Sequence, residues 1–450
     1  MIVSGYKSIT VKIRGLKILL FAGFSLLLFC MGCSTEKRIS RGVKKVFASA
    51  PVLKHHYSGF ALYDLASGHM LFEKNADQYF TPASNTKLFT FYASLKMLPD
   101  SIPSLRYVER GDSLIFWGTG DPSFLQSKLK GTRAAEFLKS AAKKLFYAPG
   151  RYTGDFYGSG WQWDDYNDYY QAEINELPLM DNLLHVKAEK GKITLLPALF
   201  KDCLGADSAA IGQTFGLVRD FNSNHFKYPL MVIPESYTQD VPYKVSLPLT
   251  LSLLSDTLHK PVGLASLKMP LDARTIFNLN RDTVLKEMML PSDNFIAEQL
   301  LLVCANQLGE ELNTHKAISH IEKTYLSALP DKPRWADGSG LSRYNLFTPR
   351  SVVKLLDMIY KELNNPEKLF NMIPAGGKSG TLKNAYPKTD KPFVFGKTGT
   401  LSGVHNQSGF IRTKKGKTFI FSFMNNNYVT SATEVRKEMV RIMTYIHEQF

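Results

Sequence analysis

The C-terminal stretch constrains the fold more than any other part of the chain. Phe393-Val394-Phe395 is an apolar, strand-like run, and a loop separates it from Gly409-Phe410-Ile411-Arg412. A Lys-Lys-Gly-Lys turn at 414–417 then leads into a second apolar run, Thr418–Met424. Two such runs about a polar turn predict an antiparallel hairpin. Beyond it, Val435, Met439, Ile442, Met443 and Ile446 share one helical face, suited to packing on a sheet.

The opposite end carries matching pieces. Gly59–Asp64 and His69–Glu73 flank Ala66-Ser67-Gly68, a hairpin signal. Thr81-Pro82-Ala83-Ser84 is a helix start, and Leu88, Phe91, Tyr92 and Leu95 continue at helical spacing. From about 100 to 242 short strand-like pieces, aromatics and turn residues alternate, which predicts an inserted, mostly β domain. From about 243 helical patterns return, at Pro248–His259, Phe295–Leu308, Asn313–Leu326 and Pro349–Leu363. Strands and helices at both ends of an insertion imply an α/β (α+β) core assembled from discontinuous segments, 51–99 and 243–450. The 450 residues, 44% hydrophobic, suffice for that core and an insert.

The first segment is not part of it. Lys7, Lys12, Arg14 and Lys17 precede an uncharged apolar run, Ile18–Gly32, with no acid before Glu36. That is the pattern of a secretory signal over residues 1–32, and the run is shorter than the roughly 20 residues of a comfortable membrane-spanning helix. It ends in Cys30-Met31-Gly32-Cys33, which resembles a bacterial lipobox, although an aliphatic residue usually stands where Cys30 is. Cys33 is then the expected lipidation site, residues 33–50 a polar, basic tether, and the catalytic body lies in the periplasm or cell envelope.

With Cys30 and Cys33 assigned to export, Cys203 and Cys304 remain. Cys304 lies in an apolar run and is expected to be a buried, inert thiol; a disulfide to Cys203 is left open. The net charge of +15 comes from scattered cations, with no stripe, zinc-finger spacing or RNA-binding signature, so nucleic acid is not an expected partner.

Serine acyl transfer needs an activated hydroxyl, a base and oxyanion donors. Ser-x-x-Lys at a helix start supplies the first two, because residues i and i+3 share a face. The chain has six matches, at Ser4, Ser34, Ser84, Ser127, Ser140 and Ser351. Only Ser84, with Lys87, combines a helix start, an apolar continuation and two further motifs downstream; Ser351, with Lys354, is the serious decoy. The second motif is Ser292-Asp293-Asn294, which opens an apolar helix and competes with an ordinary N-cap role. The third is Lys397-Thr398-Gly399 after the Phe393–Phe395 strand, with a weaker rival at Lys378-Ser379-Gly380. Its glycine is expected to let substrate lie against the strand edge.

These three motifs, in this order, resemble the signature of penicillin-binding proteins and serine β-lactamases. Trp161-Gln162-Trp163-Asp164-Asp165, Asp337-Gly338-Ser339-Gly340-Leu341-Ser342-Arg343 and Gly396-Lys397-Thr398-Gly399-Thr400 narrow the match. From about residue 58 onward the chain is similar to the penicillin-binding protein 4-like D-alanyl-D-alanine carboxypeptidase/endopeptidases, peptidase family S13. The resemblance implies a transpeptidase-type core, an antiparallel sheet with flanking helices, and no cofactor or metal. It implies peptidoglycan peptides as substrates and β-lactams as covalent inhibitors. Ser84 would be the nucleophile, Lys87 its base and Ser292 a proton shuttle, with Asn294 fixing Lys87 and the substrate amide. Lys397, Thr398 and Gly399 would hold the terminal carboxylate, and the N–H groups of Ser84 and Thr400 the oxyanion. Asp165 would meet the ammonium of the diamino acid. Lys383 stands where the family often has Arg, and the two bind carboxylates differently.

Other classes fit less well. Neither the deacylating Glu of class A β-lactamases nor the Tyr of class C is evident at the matching place. The ten His residues form no His-Glu-x-x-His, and there is no Gly-x-Ser-x-Gly elbow. A non-catalytic wall-binding lipoprotein would not require the Ser/Lys/Ser/Lys set.

Overall fold

The computed structural model describes residues 36–126, 128–209 and 214–450; the expected signal and Cys33 lie outside them. Helix α1 (36–48) leads to strands β1 (Tyr57–Asp64) and β2 (His69–Lys74) and helix α2 (Lys87–Met97). Next come β3 (Ser101–Arg110), β4 (Ser113–Gly118), α3 (Arg133–Ser140), β5 (Lys144–Tyr147), β6 (Leu183–Glu189) and β7 (Lys192–Leu196). Short strands β8 (Leu204–Asp207), β9 (Val218–Arg219) and β10 (Phe226–Pro229) precede β11 (Ser236–Pro242), α4 (Leu247–Leu258), β12 (Val262–Leu264) and β13 (Arg274–Asn280). A helical run follows: α5 (Arg281–Met289), α6 (Asn294–Asn306), α7 (Thr314–Tyr325), α8 (Pro349–Leu363) and α9 (Pro366–Met372). The chain closes with β14 (Val394–Leu401), β15 (Val404–Arg412), β16 (Thr418–Asn426) and α10 (Ala432–Gln449).

The two ends of the sequence build one sheet. Its order is β14-β15-β16-β1-β2, antiparallel throughout, with Tyr57 opposite Asn426 and Asp64 opposite Phe419. Alternating side chains give it two apolar faces. Phe60, Leu62, Phe419, Phe421 and Phe423 meet Val435, Met439, Ile442, Met443 and Ile446 of α10. On the other face Ala61, Phe410, Ile420 and Met424 meet α2, α6 and α8.

Helix α1 corrects the expected tether. Ile39, Val43, Val46 and Phe47, at helical spacing, are buried against the α10 side of the sheet. Lys37, Arg38, Arg41, Lys44 and Lys45 take the exposed face, and their density hides the apolar stripe in the sequence. Phe47 lies 4.9 Å from Phe60 and 5.3 Å from Phe423, ring to ring. Phe47→Ala is therefore expected to cost about 3 kcal/mol in chemical denaturation; a change near zero would restore the tether.

The boundary expected at 242/243 is also corrected. Strands β12 and β13 complete a second sheet, β12-β5-β4-β3-β13, and Leu253, Leu254 and Leu258 of α4 pack in its core with Leu114, Phe116 and Leu145. The insert thus spans 101–280, and helical periodicity in α4 could not say which core it served. Two three-stranded sheets, β11-β6-β7 and β8-β10-β9, make up its remainder. Its two ends meet, the Arg281 N–H donating to the Asp100 carbonyl at 2.7 Å.

Candidate active site

The turn that presents Ser84 is strained and tightly held. Ala83 has φ +48°, in the left-handed region that side chains disfavour, and Ala83–Thr86 form a 3₁₀ turn before α2. Two glycines make room for it. A Cβ on Gly340 would fall 1.9 Å from the Ala83 carbonyl oxygen. One on Gly399 would fall 2.5 Å from the Pro82 oxygen and 2.9 Å from the Ser84 nitrogen. Gly399 is therefore required by the turn carrying Ser84, a role in addition to the expected one of letting substrate lie against the strand edge.

Lys87 is fully buried and its three donors are all used. Nζ lies 3.0 Å from Ser84 Oγ, 2.6 Å from Asn294 Oδ1 and 2.8 Å from the Ser339 carbonyl oxygen. Burial lowers its pKa to about 8, although the nearby carboxylates of Glu298, Asp293 and Asp337 oppose the shift. The Asn294 and Ser339 oxygens can only accept. A neutral Lys87 would keep both of those bonds and turn its lone pair to Ser84.

The second motif does not cap with its serine. Asp293 is the N-cap of α6, accepting from the Ile296 N–H at 2.9 Å, and among the described residues Ser292 Oγ has no hydrogen bond. Ser292 itself sits at φ +67°, a second strained non-glycine position at the site. Asn294 gives its oxygen to Lys87, but its Nδ2 donates to the Tyr170 carbonyl at 3.0 Å. One Nδ2 hydrogen is thus held by the insert, and the second is left for the expected bond to the substrate amide.

Strand β14 is the edge of the sheet, bridged by Ala375 at Phe395, and presents the third motif beyond that bridge. Lys397 is fully buried, Nζ donating to the Thr398 carbonyl at 2.7 Å, and burial with the Lys87 charge holds its pKa well below that of a free lysine. Thr398 Oγ1 donates to Thr381 Oγ1 at 2.7 Å, and Thr400 Oγ1 lies 2.8 Å from His405 Nδ1. Lys383, two residues beyond Thr381, is exposed.

Residues 39–198 and 279–446 match the sequence profile of the D-Ala-D-Ala carboxypeptidase 3 (S13) family. The chain belongs to that family. It is 24% identical to the D-alanyl-D-alanine carboxypeptidase DacB of Haemophilus influenzae, over 86% of this chain and 89% of that one. It is also 24% identical to a D-alanyl-D-alanine carboxypeptidase of Actinomadura sp. (84% of this chain, 79% of that one). The crystal structure of penicillin binding protein 4 (dacB) from Haemophilus influenzae superposes with a TM-score of 0.71 at 21% identity, over 90% of this chain and 99% of that one. This S13 member is thus a serine-type D-Ala-D-Ala carboxypeptidase with a penicillin-binding-protein fold. The profile skips residues 199–278, all within the insert.

Within the S13 chain the described decoys have structural employment; Ser4, Ser34 and Ser127 lie outside the described residues. Ser351 Oγ donates to the Asp331 carbonyl at 3.0 Å and accepts from the Asp331 N–H at 3.1 Å. Ser379 Oγ accepts from the Ala375 N–H, and Ser140 Oγ donates to the Phe137 carbonyl. Cys304 is buried, Cys203 is half-buried, and both are free thiols.

Two carboxyl groups that shape the site were not expected. Glu298 accepts from the N–H groups of Gly338 and Ser339 at 2.9 and 2.7 Å, and Asp337 from those of Gly340 and Ser342 at 2.8 and 2.7 Å. Together they fix the carbonyl of Ser339 on Lys87. Burial raises the pKa of both carboxyls. The one sequence signal was the acid-and-glycine run Asp337–Gly340 between two helical patterns.

Proposed function

We propose that Ser84 carries an acyl-enzyme formed from peptidoglycan peptides ending in D-alanyl-D-alanine, with Lys87 as its base. The supporting observation is the Lys87 amine, held by two fixed acceptors with its third direction on the Ser84 hydroxyl. Lys87 takes the hydroxyl proton as Oγ bonds to the carbonyl carbon of the penultimate D-alanine. The N–H groups of Ser84 and Thr400 hold the oxyanion. The C–N bond breaks while Ser292 relays the proton from Lys87 to the departing amine of D-alanine. Water then attacks the ester, giving a proton to Lys87, and Ser84 regains its own. Lys397, with Thr398 beside it, receives the terminal carboxylate, whose charge restores the ammonium that burial disfavours. A β-lactam amide acylates Ser84 by the same first step.

Residues 36–100 and 281–450 form the catalytic body in this reading, placed in the cell envelope and tethered through a lipid on Cys33. Digestion of purified muropeptides tests it: D-alanine is released from pentapeptides, or cross-linked dimers are cut. Unchanged muropeptides on chromatography refute it.

Asp165 is half-buried in the insert loop that also contributes the Tyr170 carbonyl to Asn294. Burial, with Asp164 and Asp168 nearby, raises its pKa, which a substrate ammonium would reverse. Asp165→Asn is expected to raise KM about fivefold for peptides with a free diamino-acid amine, the ~1 kcal/mol of a partly exposed ion pair. Penicillin labelling should not change. An unaltered KM removes Asp165 from recognition.

A further inference from the structure

Helix α1 carries its cations on one side, and nothing in the fold neutralises them. Between Glu36 and Asp64 the chain has no other acid, while α1 holds Lys37, Arg38, Arg41, Lys44 and Lys45. At about 100° per residue these five fall within an arc of about 120°, opposite the buried Ile39, Val43, Val46 and Phe47. All five are exposed, and among the described residues none forms an ion pair. Glu36 turns the other way, to His69 at 3.0 Å, and on neighbouring α10 Glu438 is paired with Arg441 and Glu448 with Lys414. Arg41 has a cation at each of its i±3 and i±4 positions, Lys37, Arg38, Lys44 and Lys45. Like charges at that spacing destabilise a helix, and an anionic partner would relieve them together.

The position of this face says what that partner is. The uncharged run Ile18–Gly32 and Cys33 precede the helix, and the stretch from Cys33 to Glu36 can span at most about 10 Å. The inference therefore rests on the membrane tether proposed above. With that tether in place, laying α1 flat brings all five cations within about 8 Å of the headgroups, one Debye length at physiological salt. Helix α1 packs on the α10 side of the sheet, whereas Ser84 opens α2 on the other side. A bilayer beneath α1 leaves the reaction face open.

We infer that the exposed face of α1 is a docking surface for anionic phospholipid headgroups, holding the catalytic body against the bilayer with the Ser84 face turned away. Lipid phosphates accept from the ammonium and guanidinium groups, and each cation near an anionic surface adds to binding. The apolar side of the helix stays in the protein, so the contact is with headgroups and not with acyl chains. A tether alone leaves the body free to turn. Five charges on one packed helix fix its orientation.

Amine footprinting of the full-length enzyme tests this. The enzyme is bound to vesicles of phosphatidylcholine, alone or mixed with phosphatidylglycerol, and lysine acetylation is followed by mass spectrometry. Lys37, Lys44 and Lys45 are expected to react about fivefold more slowly on the anionic vesicles, and high salt should restore their reactivity. Lys192 and Lys201, exposed on the insert, should react alike on both. Arg38→Glu with Arg41→Glu should abolish the protection while fluorescent-penicillin labelling keeps its wild-type rate. Equal reactivity on the two vesicles, protection that survives in the double variant, or protection by cell-wall sacculi but not by vesicles overturns the inference. Failure of the tether is read separately, as enzyme that does not sediment with phosphatidylcholine vesicles; the mixed vesicles are then compared with enzyme in solution.

Discussion

Fluorescent penicillin is expected to label the wild-type enzyme and to leave Ser84→Ala unlabelled, with D-alanine release falling about 10⁴-fold or more. The argument is chemical rather than statistical. Alanine removes the only atom that can form the ester, yet its methyl fits the same turn, so the fold survives. Ser351→Ala is the control, because Ser351 also begins a helix with a lysine three residues on. Its hydroxyl is occupied on both sides by the Asp331 backbone. Losing those bonds costs about 1–2 kcal/mol of stability and no labelling. Label persisting in Ser84→Ala, or vanishing in Ser351→Ala, would move the nucleophile elsewhere.

The second large effect is on pH. A lysine with a pKa near 10.5 is almost wholly charged at neutrality, and only the neutral amine can accept the serine proton. With the pKa lowered to about 8, roughly a tenth of Lys87 is neutral at pH 7, a few-hundredfold gain in usable base. The acylation rate should therefore climb almost tenfold per pH unit from 6 and level off above about 8. Lys397 lies close enough for its charge to count, so the limb belongs to the pair of lysines. Lys87→Arg keeps the charge but cannot shed the proton, and should lose about 10³-fold with the limb abolished. A flat profile between pH 6 and 9, or substantial activity in Lys87→Arg, would remove Lys87 as the base.

What was legible in the sequence follows from what side chains encode. The strands at both chain ends were visible because apolar runs bounded by turn signals survive in β1, β15 and β16, and amphipathic spacing in α10. The motif residues were visible because their chemistry depends on residue type and fixed spacing. Helix α1 escaped because its cations outnumber the four residues it buries, and a polar stretch of that density reads as a tether. The end of the insert escaped because α4 would look the same in either core. Backbone groups at the site, the carbonyls of Ser339 and Tyr170, were beyond reach for a simpler reason. A carbonyl has no residue identity, and only the folded loop shows where it points.

The adjacency of Asp100 and Arg281 has an evolutionary reading. Because the polypeptide leaves and rejoins the catalytic body at one spot, nearly two hundred residues hang from a single doorway. An appendage joined at one spot can change in length without disturbing the spacing of the reacting groups, and the family match, which holds over residues 101–198, leaves 199–278 uncovered. The stretch that leans back over Asn294, with Trp161 donating to Asp337, ties the appendage to the site, so a change there reaches the reacting groups while the rest of the appendage is freer to vary.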